Sequence, residues 1–144
     1  MTLDNEILAA VCEQLNTISD LPCEVSLKEL ALDAPALFLH QTGGDKTNQT
    51  IAGSYDMDVQ LELVYRTPTN SEKDVLTATA LLDTLIGGQL ESWTQNNTLP
   101  DLGSQREAYG YEVSGRSSVI ATEENGMLIH ALQFVFTYHQ RSEW

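Results

Sequence analysis

Residues 55–65 read Tyr55-Asp56-Met57-Asp58-Val59-Gln60-Leu61-Glu62-Leu63-Val64-Tyr65. Tyr55, Met57, Val59, Leu61, Leu63 and Tyr65 fall on one side of an extended chain, and Asp56, Asp58, Gln60 and Glu62 fall on the other. Successive side chains of a strand point to opposite faces. A period of two held this long predicts an antiparallel strand with one face on a core and the other in water. The wet face is acidic, and the chain around it has to supply both the neighbouring strands and a cover for the apolar side.

Upstream, Leu3, Ile7, Val11, Leu15 and Ile18 recur at helical spacing and predict an amphipathic helix over 3–18. Asp4 and Glu6 suit its positive end, and Asp20-Leu21-Pro22 stops it, because the residue before a proline avoids helical angles. Residues 24–30 predict a short strand or turn, and 36–41 a short strand. Residues 42–54 are polar and contain Gly43, Gly44 and Gly53, which predicts a mobile loop or the tip of a long hairpin.

Downstream, Thr67-Pro68-Thr69-Asn70 breaks the strand. Ser71 followed by Asp74 resembles a capping box and opens a second helix, whose stripe is Val75, Thr79, Leu82 and Ile86, with Gly87-Gly88 as its stop. Residues 89–106 read as irregular, with Trp93 and Leu99 either pinning the segment or facing a partner. Asn125-Gly126 predicts a two-residue hairpin turn. That turn pairs Val119 with Leu132, Ser117 with Phe134, Gly115 with Phe136 and Val113 with Tyr138, and it sets His139 opposite Glu112. A hairpin this long, tipped by Glu123 and Glu124, is expected to extend beyond the core. The whole reads as one α+β domain over 1–144: a mainly antiparallel sheet with a long C-terminal hairpin and two helices packed on one face.

The chain has 144 residues, 42% of them hydrophobic, which supports a core without disulfides or metals. Seven basic residues face twenty-one acidic ones, for a formal charge of −14. Such a balance disfavours binding to nucleic acid or to an anionic membrane, both of which need basic patches. No stretch is long and apolar enough for a membrane span, and no signal-peptide pattern opens the sequence, so synthesis in a cytoplasm is expected. Cys12 and Cys23 have neither a redox nor a zinc spacing, and Cys12 reads as a small buried hydrophobe.

Searches for reactive groups end without a centre. His130 and His139 share a strand but point to opposite faces, so they do not meet at one metal. His130 lies on the apolar face and reads as a satisfied core histidine, and the His139–Glu112 pair as an ordinary cross-strand contact. Asp56, Asp58 and Glu62 read as a solvated face rather than an acid–base pair, since nothing pushes their pKa values apart. Gly43-Gly44-Asp45-Lys46-Thr47 lacks the glycine spacing of a phosphate loop. The expectation is a protein without catalytic residues, cofactor or metal, which acts through its surfaces.

Three segments carry a resemblance: Gly53-Ser-Tyr-Asp-Met-Asp-Val-Gln-Leu-Glu-Leu-Val-Tyr65, Asp74-Val-Leu-Thr-Ala-Thr-Ala-Leu-Leu-Asp-Thr-Leu-Ile86 and Gly126-Met-Leu-Ile-His-Ala-Leu-Gln-Phe-Val-Phe-Thr-Tyr138. In pattern and order, though not in any diagnostic signature, they resemble the tail terminator and minor capsid (neck) proteins of tailed bacteriophages. The resemblance implies a structural virion protein that forms a homohexameric ring. The ring stops polymerisation of the tail tube protein and presents a surface to the head–tail connector and neck proteins. DNA passes through without specific binding, and no membrane is involved. Under that implication Asp56, Asp58 and Glu62 are candidates to line the lumen, and Trp93, Glu123, Glu124, Asn125 and His139 to make ring contacts. Two alternatives stand beside it. One is another neck or tail-completion protein. The other is a small-ligand or peptide-binding α+β module with Trp93 and Tyr109 or Tyr111 at a pocket rim.

Overall fold

A computed structural model describes residues 2–142. Helix α1 (Thr2–Leu15) is followed by β1 (Val25–Ser26), β2 (Ala36–Thr47) and β3 (Tyr55–Arg66). A helical rod comes next, made of α2 (Glu72–Thr79), a π-helical segment (Ala80–Ile86) and α3 (Gly87–Gln95). The chain closes with β4 (Arg106–Val113), β5 (Ser118–Thr122) and β6 (Leu128–Gln140). The fold is therefore α+β, with a sheet ordered β1-β2-β3-β6-β4 and β5 also paired to β6. All pairings are antiparallel except β1 with β2.

The strand that decides the fold behaves as its pattern demands. Val59, Leu61, Leu63 and Tyr65 are buried beneath the helices. Leu37 and Leu39 of β2 and Leu132, Phe134, Phe136 and Tyr138 of β6 join them. From α1 come Ile7, Val11 and Leu15, and from the rod Ala78, Leu82, Ile86, Leu90 and Trp93. Aromatic contacts tie the centre together: Tyr111 lies 5.0 Å from Phe136 and 6.1 Å from Trp93, ring centre to ring centre. Such pairs add about 1 kcal/mol each beyond the area they bury.

The rod begins as the capping pattern predicts, with the Ser71 hydroxyl accepting from the Asp74 N–H at 3.2 Å. It does not end at Gly87-Gly88. The helix runs on to Gln95: a Cβ on Gly87 would lie 3.2 Å from the Leu82 carbonyl oxygen of the preceding turn and 4.0 Å from Val113 Cγ2, while one on Gly88 would meet nothing within 4 Å. Trp93, expected in an irregular segment, therefore sits in a helix. Likewise β2 does not stop at Gln41. A bulge between Gln41 and Gly43 carries it on to Thr47, leaving only 48–54 as the hairpin tip. Cβ atoms on Gly43 and Gly44 would lie 2.7 Å from Gln60 Oε1 and 2.8 Å from Met57 Cε, the ends of flexible side chains, and one on Gly44 would also lie 3.2 Å from the Asp58 carbonyl oxygen.

The C-terminal hairpin departs most from expectation. Val119 pairs with His130 instead of Leu132, and Val113 with Phe134 instead of Tyr138. Three of four local irregularities lie before the Val113 pair and consume the difference, and the fourth, at Tyr109, shifts the remainder of β4. The turn is longer than two residues, closed by Glu123 N–H to Met127 C=O at 2.9 Å and Gly126 N–H to Glu123 C=O at 3.0 Å, with Gly126 at φ +88°. Bulges follow at Ile120 and Tyr109, and the strand breaks between β5 and β4. At the break, Asp83 of the π-helical segment holds the Ser117 N–H and hydroxyl at 2.7 and 2.9 Å. The hairpin does not project from the core either. β6 is an interior strand, paired along Ile129–Gln140 with β3.

Candidate functional site

The face of the sheet turned away from the helices gathers the three acidic residues of β3 and His139 that the sequence singles out. Asp56, Asp58 and Glu62 of β3 project from it, and register sets Asp45 of β2 beside Asp58 and places Glu107 and Glu112 of β4 on the same side. Each of the three β3 carboxylates is held by a cross-strand partner. Asp56 accepts from Asn48 Nδ2 at 2.7 Å and lies 2.7 Å from His139 Nδ1. Asp58 accepts from the Thr137 hydroxyl at 2.9 Å. Glu62 lies 2.7 Å from His40 Nε2 and accepts from Gln133 Nε2 at 3.3 Å. The hydrogen bonds from Asn48 and His139 keep the Asp56 carboxyl below its ordinary pKa, so it stays ionised further into acid.

His139 thus pairs with Asp56 across β3, not with Glu112. On its other side the register partner is Glu107, and Tyr109 stacks on the ring at 6.0 Å. His40, on the neighbouring strand, stacks on Phe38 at 5.2 Å. At the far end of this face Arg66 of β3 reaches the segment 27–35 between β1 and β2. Arg66 donates its Nε–H to the Ala31 carbonyl at 2.8 Å and pairs through its guanidinium with Glu123. Arg66 is buried to 5% of its surface, so this pair is an internal tie between two loops. Glu123 is consequently committed within the chain, whereas Glu124 and Asn125 remain exposed at the turn.

Trp93 is not a surface group. It retains 8% exposure and packs on Tyr111 in the core, which corrects its assignment to a ring contact. Of the two tyrosines expected at a pocket rim with Trp93, Tyr109 lies against His139 on the opposite side of the sheet, whereas Tyr111 does sit beside Trp93, but as a core contact with both rings buried. A groove of about 600 Å³ does exist between α1 and β1, lined by Cys12, Glu13, Asn16, Glu24, Val25 and Lys28 among others. Burial raises the pKa of both thiols, so neither Cys12 nor Cys23 has thiolate character that would make it a nucleophile. Among the described residues no cluster of three or more His, Cys, Asp or Glu side chains is arranged to hold a metal.

His130 is a core histidine, at 2% exposure and 6.4 Å from the Tyr65 ring, but it is not satisfied: its Nε2 has no hydrogen-bond partner. Burial pushes its pKa below the ordinary 6.5. In the unfolded chain the imidazole protonates from about pH 6.5 downward, while the folded state resists. The unfolded state then binds more protons, so stability falls as pH drops below 6.5 until the lowered folded-state pKa is reached. Urea melts of the wild type and His130→Phe between pH 7 and pH 5 are expected to differ in slope, the variant losing less stability in acid. At pH 7 the variant is expected to be at least as stable, because it removes an unpaired buried nitrogen. Parallel pH profiles would overturn this assignment.

No helix among the described residues is long and apolar enough to cross a membrane. Compared with known proteins, the sequence matches no family model and no curated protein.

Proposed function

We propose that this chain is a structural subunit of a tailed-bacteriophage virion, a tail terminator that closes into a ring on the tail tube and joins it to the neck. The observation that carries the reading is the array of fixed carboxylates, Asp56, Asp58 and Glu62, along one open sheet face. A duplex moving past a ring needs a wall that repels phosphate and does not grip it, and held carboxylates supply that field. Their cross-strand partners matter because a floating side chain would turn aside, whereas these are pinned by side chains of β2, β6 and the β2–β3 tip.

The resemblance adds the tail tube and the neck as partners, the six-fold ring, and the virion as destination after synthesis in a host cytoplasm. Light scattering is expected to give a hexamer, either for the isolated chain or on addition of tail tubes. The lining is tested by Asp56→Lys/Asp58→Lys/Glu62→Lys, with Asp56→Asn/Asp58→Asn/Glu62→Gln as the version that keeps hydrogen-bonding groups. The lysine variant is expected to acquire duplex binding that weakens steeply with salt, with a slope of about −0.9 per phosphate contact. Unchanged DNA passage and infectivity in the lysine variant would remove the acidic face from the lumen.

A further inference from the structure

Both ends of the sheet order carry strand edges, and the chain treats them unequally. On the β1 side, the Asn16 side chain imitates a neighbouring strand: its Oδ1 accepts from the Val25 N–H at 2.8 Å and its Nδ2 donates to the Val25 carbonyl at 3.2 Å. On the β4 side, Thr94 does the same for Tyr111, its hydroxyl accepting from the Tyr111 N–H at 2.8 Å and lying 3.3 Å from the Tyr111 carbonyl. Two other stretches have no neighbouring strand among the described residues, and the side-chain cover found there is a single contact, Gln41 Nε2 donating to the Gly43 carbonyl at 3.1 Å. β1 pairs with β2 only at Leu37 and Phe38, which leaves the outer side of 39–47 without a strand. β5 pairs with β6 on one side only.

Apart from Leu76 on α2, the large exposed apolar side chains among the described residues follow the same division. Val119 and Ile120 of β5 are 46% and 52% exposed, and Tyr109 on the collinear β4 is 48% exposed. On the opposite side of the sheet, Leu32 and Ile51 stand exposed in the segments that precede and follow β2. Ile51 is presented by an ordered tip: the Thr50 N–H donates to the Ser54 carbonyl at 2.9 Å, and Ser142 donates to the Ala52 carbonyl. Charge is complementary as well. Arg116, just before β5, has no carboxylate partner among the described residues, while Asp45 of β2 faces another aspartate across the ladder. Open strand edges recruit strands from other chains unless they are blocked, and this chain blocks part of each edge and leaves the rest free.

We infer that the occupant is a second copy of this chain, with β5 of one copy pairing onto the 39–47 edge of β2 in the next. The two surfaces differ and lie at opposite sides of one sheet, so the contact is head-to-tail, the kind that closes rings. The inference rests on the ring reading and names the surfaces that make the ring.

The test uses two blocked variants of the full chain, Ile120→Lys on β5 and Thr42→Lys at the β2 bulge, with Val119→Lys as a second block of β5. Circular dichroism and melting establish that each is folded. Sedimentation of the wild type is expected to show a species larger than a dimer. Each variant alone is expected to remain a monomer, and an equal mixture of Ile120→Lys and Thr42→Lys is expected to stop at a dimer, since each partner keeps one intact edge. Hydrogen exchange is expected to slow at 39–47 and 118–122 on assembly and nowhere else in the sheet. A wild type that assembles while both variants assemble equally well overturns the edge pairing and leaves the ring standing. A wild type that stays monomeric, alone and with tail tubes, overturns both.

Discussion

Removing Glu123 is expected to lower stability by about 3 kcal/mol, far more than a glutamate beside a hairpin turn ordinarily contributes. The reason lies in its partner. Arg66 is 5% exposed, with its Nε–H given to the Ala31 carbonyl and its guanidinium paired with Glu123. Glu123→Ala leaves a buried cation without a counter-charge, and an unpaired buried charge is penalised by the solvation it has lost. A chain of this size loses about 2–4 °C of melting temperature per kcal/mol, so a drop of about 10 °C is expected. Arg66→Met/Glu123→Ala removes both charges and keeps an apolar stem under the 27–35 segment, and is expected to recover much of the loss. Thermal melts of the single and double variants decide it: a Glu123→Ala protein within about 1 °C of wild type would show that the pair is solvated and loose. The pair also bears on assembly, because a glutamate tied to Arg66 is not free to contact a neighbour, while Glu124 and Asn125 on the same turn are.

What the sequence made legible was whatever depends on period. The β3 alternation survives at the centre of the strand, Val59 to Leu63, because a slip of one would send Leu61 and Leu63 into water and Glu62 into the core, whereas Val64 and Arg66 on the other face are buried as well. The Ser71–Asp74 cap was readable because it is a contact within one turn of helix. The failures share a different cause. Gly87-Gly88, Gly43 and Gly44 read as breakers, yet each lies inside an element that continues through it; a Cβ would crowd a backbone carbonyl at Gly87 and Gly44, while Gly88 faces open space, and whether an element continues past a glycine is not encoded locally. The hairpin register failed by accumulation: a turn one residue too long, a bulge at Ile120 and a break each displaced the pairing, and the break is held by a distant group, Asp83. Of the candidate site, the acidic stripe was visible as a stripe. Its partners were not, since Asn48, His139, Thr137 and His40 reach it only through strand order, and the exchange of Glu112 for Asp56 beside His139 follows from β6 being central.

Gly110→Ala is expected to destabilise the chain by about 3 kcal/mol, through a contact that no sequence pattern announces. The added Cβ would lie 2.6 Å from Thr94 Cγ2. Threonine is stiff about χ1 and does not swing aside readily. This threonine is also engaged, since its hydroxyl donates to the Leu90 carbonyl at 2.9 Å and accepts the Tyr111 N–H. Relief therefore requires α3 to move off β4, which loosens Trp93 from Tyr111 and strips the cap from the strand edge. Overpacking of this kind ordinarily costs about 1–3 kcal/mol, and a broken buried hydrogen bond adds about 1 kcal/mol or more. Thr94→Ser in the Gly110→Ala background deletes the clashing methyl and keeps the hydroxyl, so it is expected to restore the part of the loss due to the clash and to leave the part due to a side chain at φ +156°, although Thr94→Ser alone is mildly destabilising. Urea unfolding of the three proteins reads the result. Loss without rescue would assign the damage to the backbone at the bulge rather than to Thr94. Rescue would establish that the β4 edge is sealed by a side chain of α3, which is the condition that leaves β5 as the part of that edge open to another strand.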